Sequence, residues 1–261
     1  MPEHPYQQIE SLLSSADPEK IHIGLEMVRQ EIARIGSSQA RPLFEMVATL
    51  FHFDMLDRPD LVPSLNEAVS LVVGFGEWVI PELLKELDEG DLKAQLTIGH
   101  ALGRIGADAI QPLIAEYQAT ESSDRRVFVL YALGKIKSPR VSEALPLALA
   151  AAASPDQELR DTATRALGKF SESIPSLQAD DNLRREIFEK LQRNLADPSP
   201  AIRAKAIRSL GKLAKYEHLT PPERDLLKSI CQRLTGTDER FEWDHAYIVR
   251  REAEEALQYV L

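Results

Sequence analysis

A short phrase recurs along this chain and narrows its possible folds more than any other feature. It reads Ala101-Leu102-Gly103-Arg104-Ile105-Gly106, then Ala132-Leu133-Gly134-Lys135-Ile136, Ala166-Leu167-Gly168-Lys169-Phe170 and Ser209-Leu210-Gly211-Lys212-Leu213. Weaker copies are Ile32-Ala33-Arg34-Ile35-Gly36, Val72-Val73-Gly74-Phe75-Gly76 and Ala256-Leu257-Gln258-Tyr259-Val260. We take Ile32, Val73, Leu102, Leu133, Leu167, Leu210 and Leu257 as position zero. Successive copies then lie 29 to 47 residues apart. Drifting periods of that size fit stacked pairs of helices.

Each phrase reads as the end of a helix. Small or apolar residues stand at −4 (Ile98, Val129, Ala163, Ala206, Ala253) and, in later units, at −8 (Leu159, Ile202, Val249). With the apolar residues at 0 and +3 they make one stripe of helical period. Asp91, Asp156 and Asp197 precede these helices, where a carboxylate can accept from the free N–H groups of the first turn. The glycine after the leucine lets neighbouring backbones approach or the helix end. A second helix is expected between phrases, for example over 78–87, 107–118, 142–153, 181–195 and 221–234. Pro81 and Pro112 fall in first turns of these, where the missing N–H costs little. No useful stretch alternates with period two. Longer connections at 53–60, 171–180 and 235–244 read as loop insertions. About seven helix pairs sharing one core are expected, forming a single domain over 1–261.

The stretch Asp156 to Gly168, D-x-x-[LIV]-R-x-x-A-x-x-A-L-G, resembles the HEAT repeat. The compact forms ALGRIG and DPSPAIRAKAIRSLGKL are similar to the HEAT-like repeats of phycobilisome bilin lyases. The resemblance runs from about Asp17 to the C-terminus and implies an all-α, right-handed α-α superhelix. It is specific for fold and poor for function, because bilin lyases, a di-iron hydroxylase, DNA glycosylases and many adaptors share the repeat. It also gives a structural role to the arginines at −7, Arg126, Arg160, Arg203 and Arg250: a ladder bonded to the aspartates and carbonyls of adjacent turns.

Positions −5, −2 and +2 share the face opposite the stripe. In four successive units they read Thr97/His100/Arg104, Phe128/Tyr131/Lys135, Thr162/Arg165/Lys169 and Lys205/Arg208/Lys212. Lys or Arg fill most of these positions and no acid does, although the chain holds 31 basic and 41 acidic residues and a formal charge of −10. The resemblance places this helix on the concave side of the superhelix. A basic groove for an acidic partner is therefore expected, with His100, Arg104, Phe128, Tyr131, Lys135, Arg165, Lys169, Lys205, Arg208 and Lys212 as contacts. Part of the excess is trivial, since a cation at +2 offsets the helix dipole. Arg165, Lys205 and Arg208 are the part that this does not explain, and both Arg165 and Arg208 are expected to be exposed.

Chemistry is harder to find. The hydroxylase relatives hold iron with repeated His-Glu pairs, but none of His4, His22, His52, His100, His218 and His245 is followed by Glu. The one cysteine, Cys231, excludes an internal disulfide and reads as a buried, inert thiol. Neither a metal nor a cofactor is expected. The aromatic loop 241–247 is expected to cap the open end of the core. The first residues lack a basic stretch followed by an apolar one, and no apolar run is long enough to span a bilayer, so a cytoplasmic setting without membrane contact is expected. The leading reading is a non-enzymatic interaction module or adaptor that binds an acidic segment of another protein. A bilin lyase or phycobiliprotein-associated factor is an alternative implied by the repeat subtype alone; tetrapyrrole propionates would then meet Arg165, Lys169 or Arg208. A nucleic-acid binder is a third reading, which the acidic balance opposes.

Overall fold

The computed structural model describes residues 6–53, 56–89, 92–175, 181–238, 240 and 242–261. Among them there are helices, turns and bends but no strand, as the period-3.6 pattern requires. The chain divides into two compact units, Met1–Pro112 and Leu113–Leu261. No helix among the described residues is long and apolar enough to cross a membrane.

In the first unit the pairs are α1 (Gln7–Leu13) with α2 (Pro18–Ile35), α3 (Arg41–Ala48) with α4 (Val62–Val73), and α5 (Val79–Glu89) with α6 (Leu92–Ile105). The second helices stack in order, α2 on α4 and α4 on α6, and each packs against the helix before it. Asp17 starts α2 by accepting the Glu19 N–H at 2.9 Å, with Pro18 at the first helical position. Phe44, Phe75 and Trp78 meet edge to face, with centroids 5.4 to 6.2 Å apart, in the core of this unit.

The second unit takes most of α7 (Ile110–Ala119), followed by α8 (Ser123–Leu133), α9 (Leu145–Ala151), α10 (Gln157–Phe170), α11 (Asp181–Asn194), α12 (Pro200–Lys215), α13 (Pro221–Thr235) and α14 (Tyr247–Leu257). The same stacking holds: α8 on α10, α10 on α12, α12 on α14. α9 begins three residues later than its sequence pattern suggests. Residues Pro139–Ala144 form a tighter 3-10 turn first, and Pro146 follows in the first turn of the helix proper. Asp156 caps α10 by accepting the Leu159 N–H at 2.9 Å. Asp91 lies outside the described residues, as do parts of all three long connections.

The position-zero leucines do what their spacing requires. Leu102, Leu133, Leu167 and Leu210 are wholly buried, with the −4 residues Ile98, Val129, Ala163 and Ala206 beside them. The glycine after the leucine has its clearest reason at Gly168 and Gly211. A Cβ on Gly168 would stand 2.9 Å from the Cα of Ser209, and one on Gly211 would stand 2.9 Å from the Cβ of Ala256. The phrase is thus the contact seam between successive second helices, α10 on α12 and α12 on α14.

Candidate partner-binding face

The arginines at −7 hold the turns together. Arg160 donates to the Asp197 carboxylate at 2.6 Å and to the Ser154 carbonyl at 2.7 Å. One unit on, Arg203 donates to Asp244 at 2.8 Å and to the Asp197 carbonyl at 2.9 Å. Arg250 donates to the carbonyls of Asp244 and His245 at 2.7 and 3.0 Å. Each guanidinium joins its own turn, and Arg160 and Arg203 also reach the aspartate of the next. Their protonated forms are held firmly by these bonds. Arg126 departs from the ladder: it lies over the Tyr117 ring at 5.4 Å, tying α8 to α7.

This ladder explains the aromatic loop. Asp244 occupies the rung that Asp197 fills one repeat earlier, and it also accepts the Ala246 N–H at 2.9 Å. Trp243 and Tyr247 are 50% and 70% exposed, so they do not cover the core as a cap. The Trp243 ring instead takes the Arg250 guanidinium at 4.6 Å. Phe241 lies outside the described residues.

The basic face divides between the units. His100 and Arg104 belong to α6 in the first unit, where His100 is exposed and Arg104 donates to the Ser70 hydroxyl of α4 at 2.9 Å. The remaining eight expected contacts lie in the second unit. Phe128 must be corrected: it is only 7% exposed, and its ring packs beside Tyr131 in the helix core rather than offering a surface. Thr97, in the same row position, is buried as well.

Two cations of the face are paired within the chain. Lys205 is not an unpaired cation, because it is ion-paired to Asp161 of α10. Arg208 is likewise held by two bonds to Glu252 of α14, a carboxylate only 1% exposed. Arg251 makes a second pair with Glu252 at 2.8 Å. The Arg208 hydrogen bond holds the Glu252 carboxyl below its ordinary range against the opposing effect of burial.

Glu172, just past the end of α10, was not apparent as a partner from the sequence. It accepts from Lys137 at 2.7 Å, Lys169 at 3.0 Å and Lys212 at 2.6 Å. Burial pushes its carboxyl up, but the three lysines outweigh that and hold it at about 2. Burial pulls Lys212 down to about 8 despite the same pair, and crowding by Lys169 adds to the fall. Three ammonium groups share the one carboxylate, and both members of the Glu172–Lys212 pair are charged at neutral pH. A depressed carboxyl stabilises the fold fully above the ordinary value near 4.5 and loses that contribution as pH falls through about 2. Unfolding followed against pH should therefore show a loss of stability across that window which Glu172→Gln shrinks. An unchanged acid limb in Glu172→Gln would contradict the three-lysine contact.

What remains open is a cleft between α8 and α10, with Lys205 of α12 at its edge. Its cavity is about 170 Å³, and its lining includes Tyr131, Lys135, Lys137, Arg165, Lys169 and Lys205 and, among the described residues, no carboxylate. Arg165 is exposed and, among the described residues, makes no ion pair or hydrogen bond. The Lys135 ammonium stands 4.9 Å from the centre of the Tyr131 ring. Burial lowers its pKa, and the charges of Arg165, Lys169 and Lys137 lower it further. Five expected contacts, Tyr131, Lys135, Arg165, Lys169 and Lys205, are thus brought together. Arg208 and Lys212 line a second cavity of about 160 Å³, where Glu172, Glu252 and Glu255 balance them.

In the first unit, donor atoms of His22, Glu26 and Glu67 lie within 4.8 Å of one another. The sequence hides this group because Glu67 lies on α4, far along the chain from α2. The structure shows an ion-pair cluster: His22 meets Glu67 at 2.9 Å, while Arg29 engages both Glu26 and Glu67. Cys231 is buried, and burial pushes its thiol up to about 12, as expected of an inert core cysteine.

Two family models match the chain, one described as HEAT repeats over residues 80–168 and one as HEAT repeat over residues 187–216; together they cover just under half of it. No curated protein matches the sequence. Solved structures with a similar fold include an archaeal HEAT-like repeats protein from Thermococcus onnurineus, 14% identical, covering 98% of this chain and 97% of that one, with a TM-score of 0.49. A designed armadillo repeat protein in complex with the peptide (KR)4 is 16% identical over 99% of this chain and 100% of that one, with a TM-score of 0.42. The complex of CpcE and CpcF of phycocyanin lyase from Nostoc is 17% identical over 100% and 96%, with a TM-score of 0.36. The phrase, the stacked helix pairs and the arginine rungs at Arg160 and Arg203 agree with the family models: residues 80–168 and 187–216 match HEAT repeats, a repeat scaffold of the kind that serves protein interaction.

Proposed function

We propose that the chain is a non-enzymatic adaptor and that the α8–α10 cleft of its second unit binds an acidic segment of another protein. The observation that supports this most is that, among the described residues, no carboxylate lines the cleft and Arg165 has no ion-pair partner. Cations gathered against low-dielectric walls focus their field, so this cleft attracts an anionic partner even though the chain is acidic overall. Glu172 and Asp161 offset part of the charge of Lys137, Lys169 and Lys205, and Arg208 and Lys212 on the same face are paired within the chain as well, so Arg165 contributes most. A cytoplasmic setting suits such an adaptor.

The test is the double variant Lys135→Glu with Arg165→Glu and a fluorescently labelled glutamate-rich peptide. Affinity should fall by about tenfold or more, and wild-type binding should weaken as salt rises. Thermal unfolding of the double variant serves as the control for folding. A folded double variant that binds the peptide as tightly as wild type would move the site away from this cleft.

A further inference from the structure

We propose that the cleft lined by Tyr131, Lys135 and Arg165 is a phosphoryl site, so that the acidic segment bound there is anchored by a phosphorylated serine or threonine. This rests on the reading of the cleft as a partner site, and it adds the chemistry of the anchor.

An anion is already present on this face. Glu172 gathers Lys137, Lys169 and Lys212 and satisfies that side of the face with a single carboxylate. Asp161 does the same for Lys205. Neither carboxylate lines the cleft itself, and neither reaches Arg165. Arg165, which lines the cleft, is the cation that neither of them reaches.

Three groups of different geometry meet there. Arg165 is exposed and offers a planar fork of N–H donors with no acceptor for them among the described residues. Lys135 brings a second charge over the Tyr131 ring. Tyr131 has no hydrogen-bond partner among the described residues, and burial raises its pKa, so its hydroxyl keeps a proton to donate. A carboxylate is planar and carries one charge on two oxygens. A phosphoryl group carries close to two charges near neutral pH on three acceptor oxygens. It can take the Arg165 fork on one edge while a further oxygen faces Lys135 and Tyr131. The crowding of Lys135 by Arg165, Lys169 and Lys137 points the same way, because a dianion relieves more of that repulsion than a monoanion. The cavity of about 170 Å³ opens to solvent between α8 and α10, which suits a side chain entering from a bound segment.

The test compares three probes on the full chain: a short glutamate-rich peptide with one central serine, the same peptide phosphorylated on that serine, and inorganic phosphate. Binding is measured by titration calorimetry with wild type, Arg165→Ala and Arg165→Lys. The phosphorylated peptide should bind wild type at least about tenfold more tightly than its parent. Arg165→Ala should abolish that ratio, and Arg165→Lys should restore it only in part, since an ammonium keeps the charge but loses the fork. Thermal unfolding should be unchanged in both variants. Equal affinity for the two peptides would overturn the phosphoryl inference and leave the acidic-segment reading standing. A tenfold preference that survives in Arg165→Ala would also overturn it, by placing the phosphoryl group elsewhere. Inorganic phosphate binding that depends on Arg165, with neither peptide bound, would keep the phosphoryl site and remove the protein partner. No binding of any probe would overturn both.

Discussion

Leu167→Ala should lower stability by about 2–5 kcal/mol, and Gly168→Ala, one residue on and opposite in volume, by about 1–3 kcal/mol or more. Leu167 is wholly buried, so truncation removes apolar contact and leaves a cavity that the helices close only in part. Gly168 fails for the reverse reason. Its added methyl would stand 2.6 Å from the Ser209 Cβ and 2.9 Å from its Cα, too near for either to remain where it is. Ser209 cannot rotate out of the way cheaply, because its hydroxyl donates to the Thr164 carbonyl at 3.0 Å and the Cα is backbone. Relief must come from moving α10 away from α12, which loosens the seam along its length. Urea unfolding of the two variants measures this directly, through a lower midpoint with little change in slope. A Gly168→Ala protein within about 0.5 kcal/mol of wild type would show that α10 and α12 do not approach as described. Leu210→Ala should repeat the first result one unit on, since Leu210 is equally buried.

These residues also show how far the sequence can be read. Leu167, Gly168 and the −4 alanine lie within about a turn and a half of one another, and their periodicity alone marks the buried side and the contact seam. The arginine rungs were legible through the resemblance to HEAT repeats. Arg160 and Arg203 make the aspartate and carbonyl bonds that it implies. Asp244 completes the series inside the aromatic loop, for which the need to cover a terminal repeat suggests capping instead. The helical wheel also grouped Tyr131, Lys135, Arg165, Lys169 and Lys205 on one face, and they line one cleft.

What it could not show is which of those cations are neutralised. Every neutralising acid stands off the counted rows or across a repeat. Glu172 lies past the end of α10, where helical periodicity no longer predicts direction. Asp161 sits one place off the row that holds Thr162, yet the length of a lysine side chain lets Lys205 reach it across the seam. Glu252 is 44 residues from Arg208, one repeat away, and the pair forms only because α14 packs on α12. Residue spacing fixes a face, but ion pairing also depends on side-chain reach between helices, which spacing does not contain.

The contrast between Arg208 and Arg165 follows from that difference and gives the second large effect. Both occupy the same row position, so the wheel alone makes their substitutions equivalent. Arg208→Glu should lower stability by about 2–3 kcal/mol, whereas Arg165→Glu should stay within about ±0.5 kcal/mol. Removing Arg208 strips two hydrogen bonds from Glu252, and the new carboxylate faces one that is already 1% exposed. Breaking a fully buried pair costs about 3–5 kcal/mol. Two features reduce that here. Arg208 itself is 41% exposed, so water screens part of the interaction, and Arg251 still holds Glu252 from the other side. Arg165 has no such partner to lose, and an exposed glutamate there meets the cations of the cleft rather than an acid. Chemical denaturation of the two single variants at neutral pH separates the cases. Adding Glu252→Gln to Arg208→Glu should recover much of the loss, because the buried charge is then gone. If Arg208→Glu proved as mild as Arg165→Glu, Glu252 would not depend on Arg208. The basic face would then extend from the cleft to α14 instead of ending where the chain's own carboxylates neutralise it.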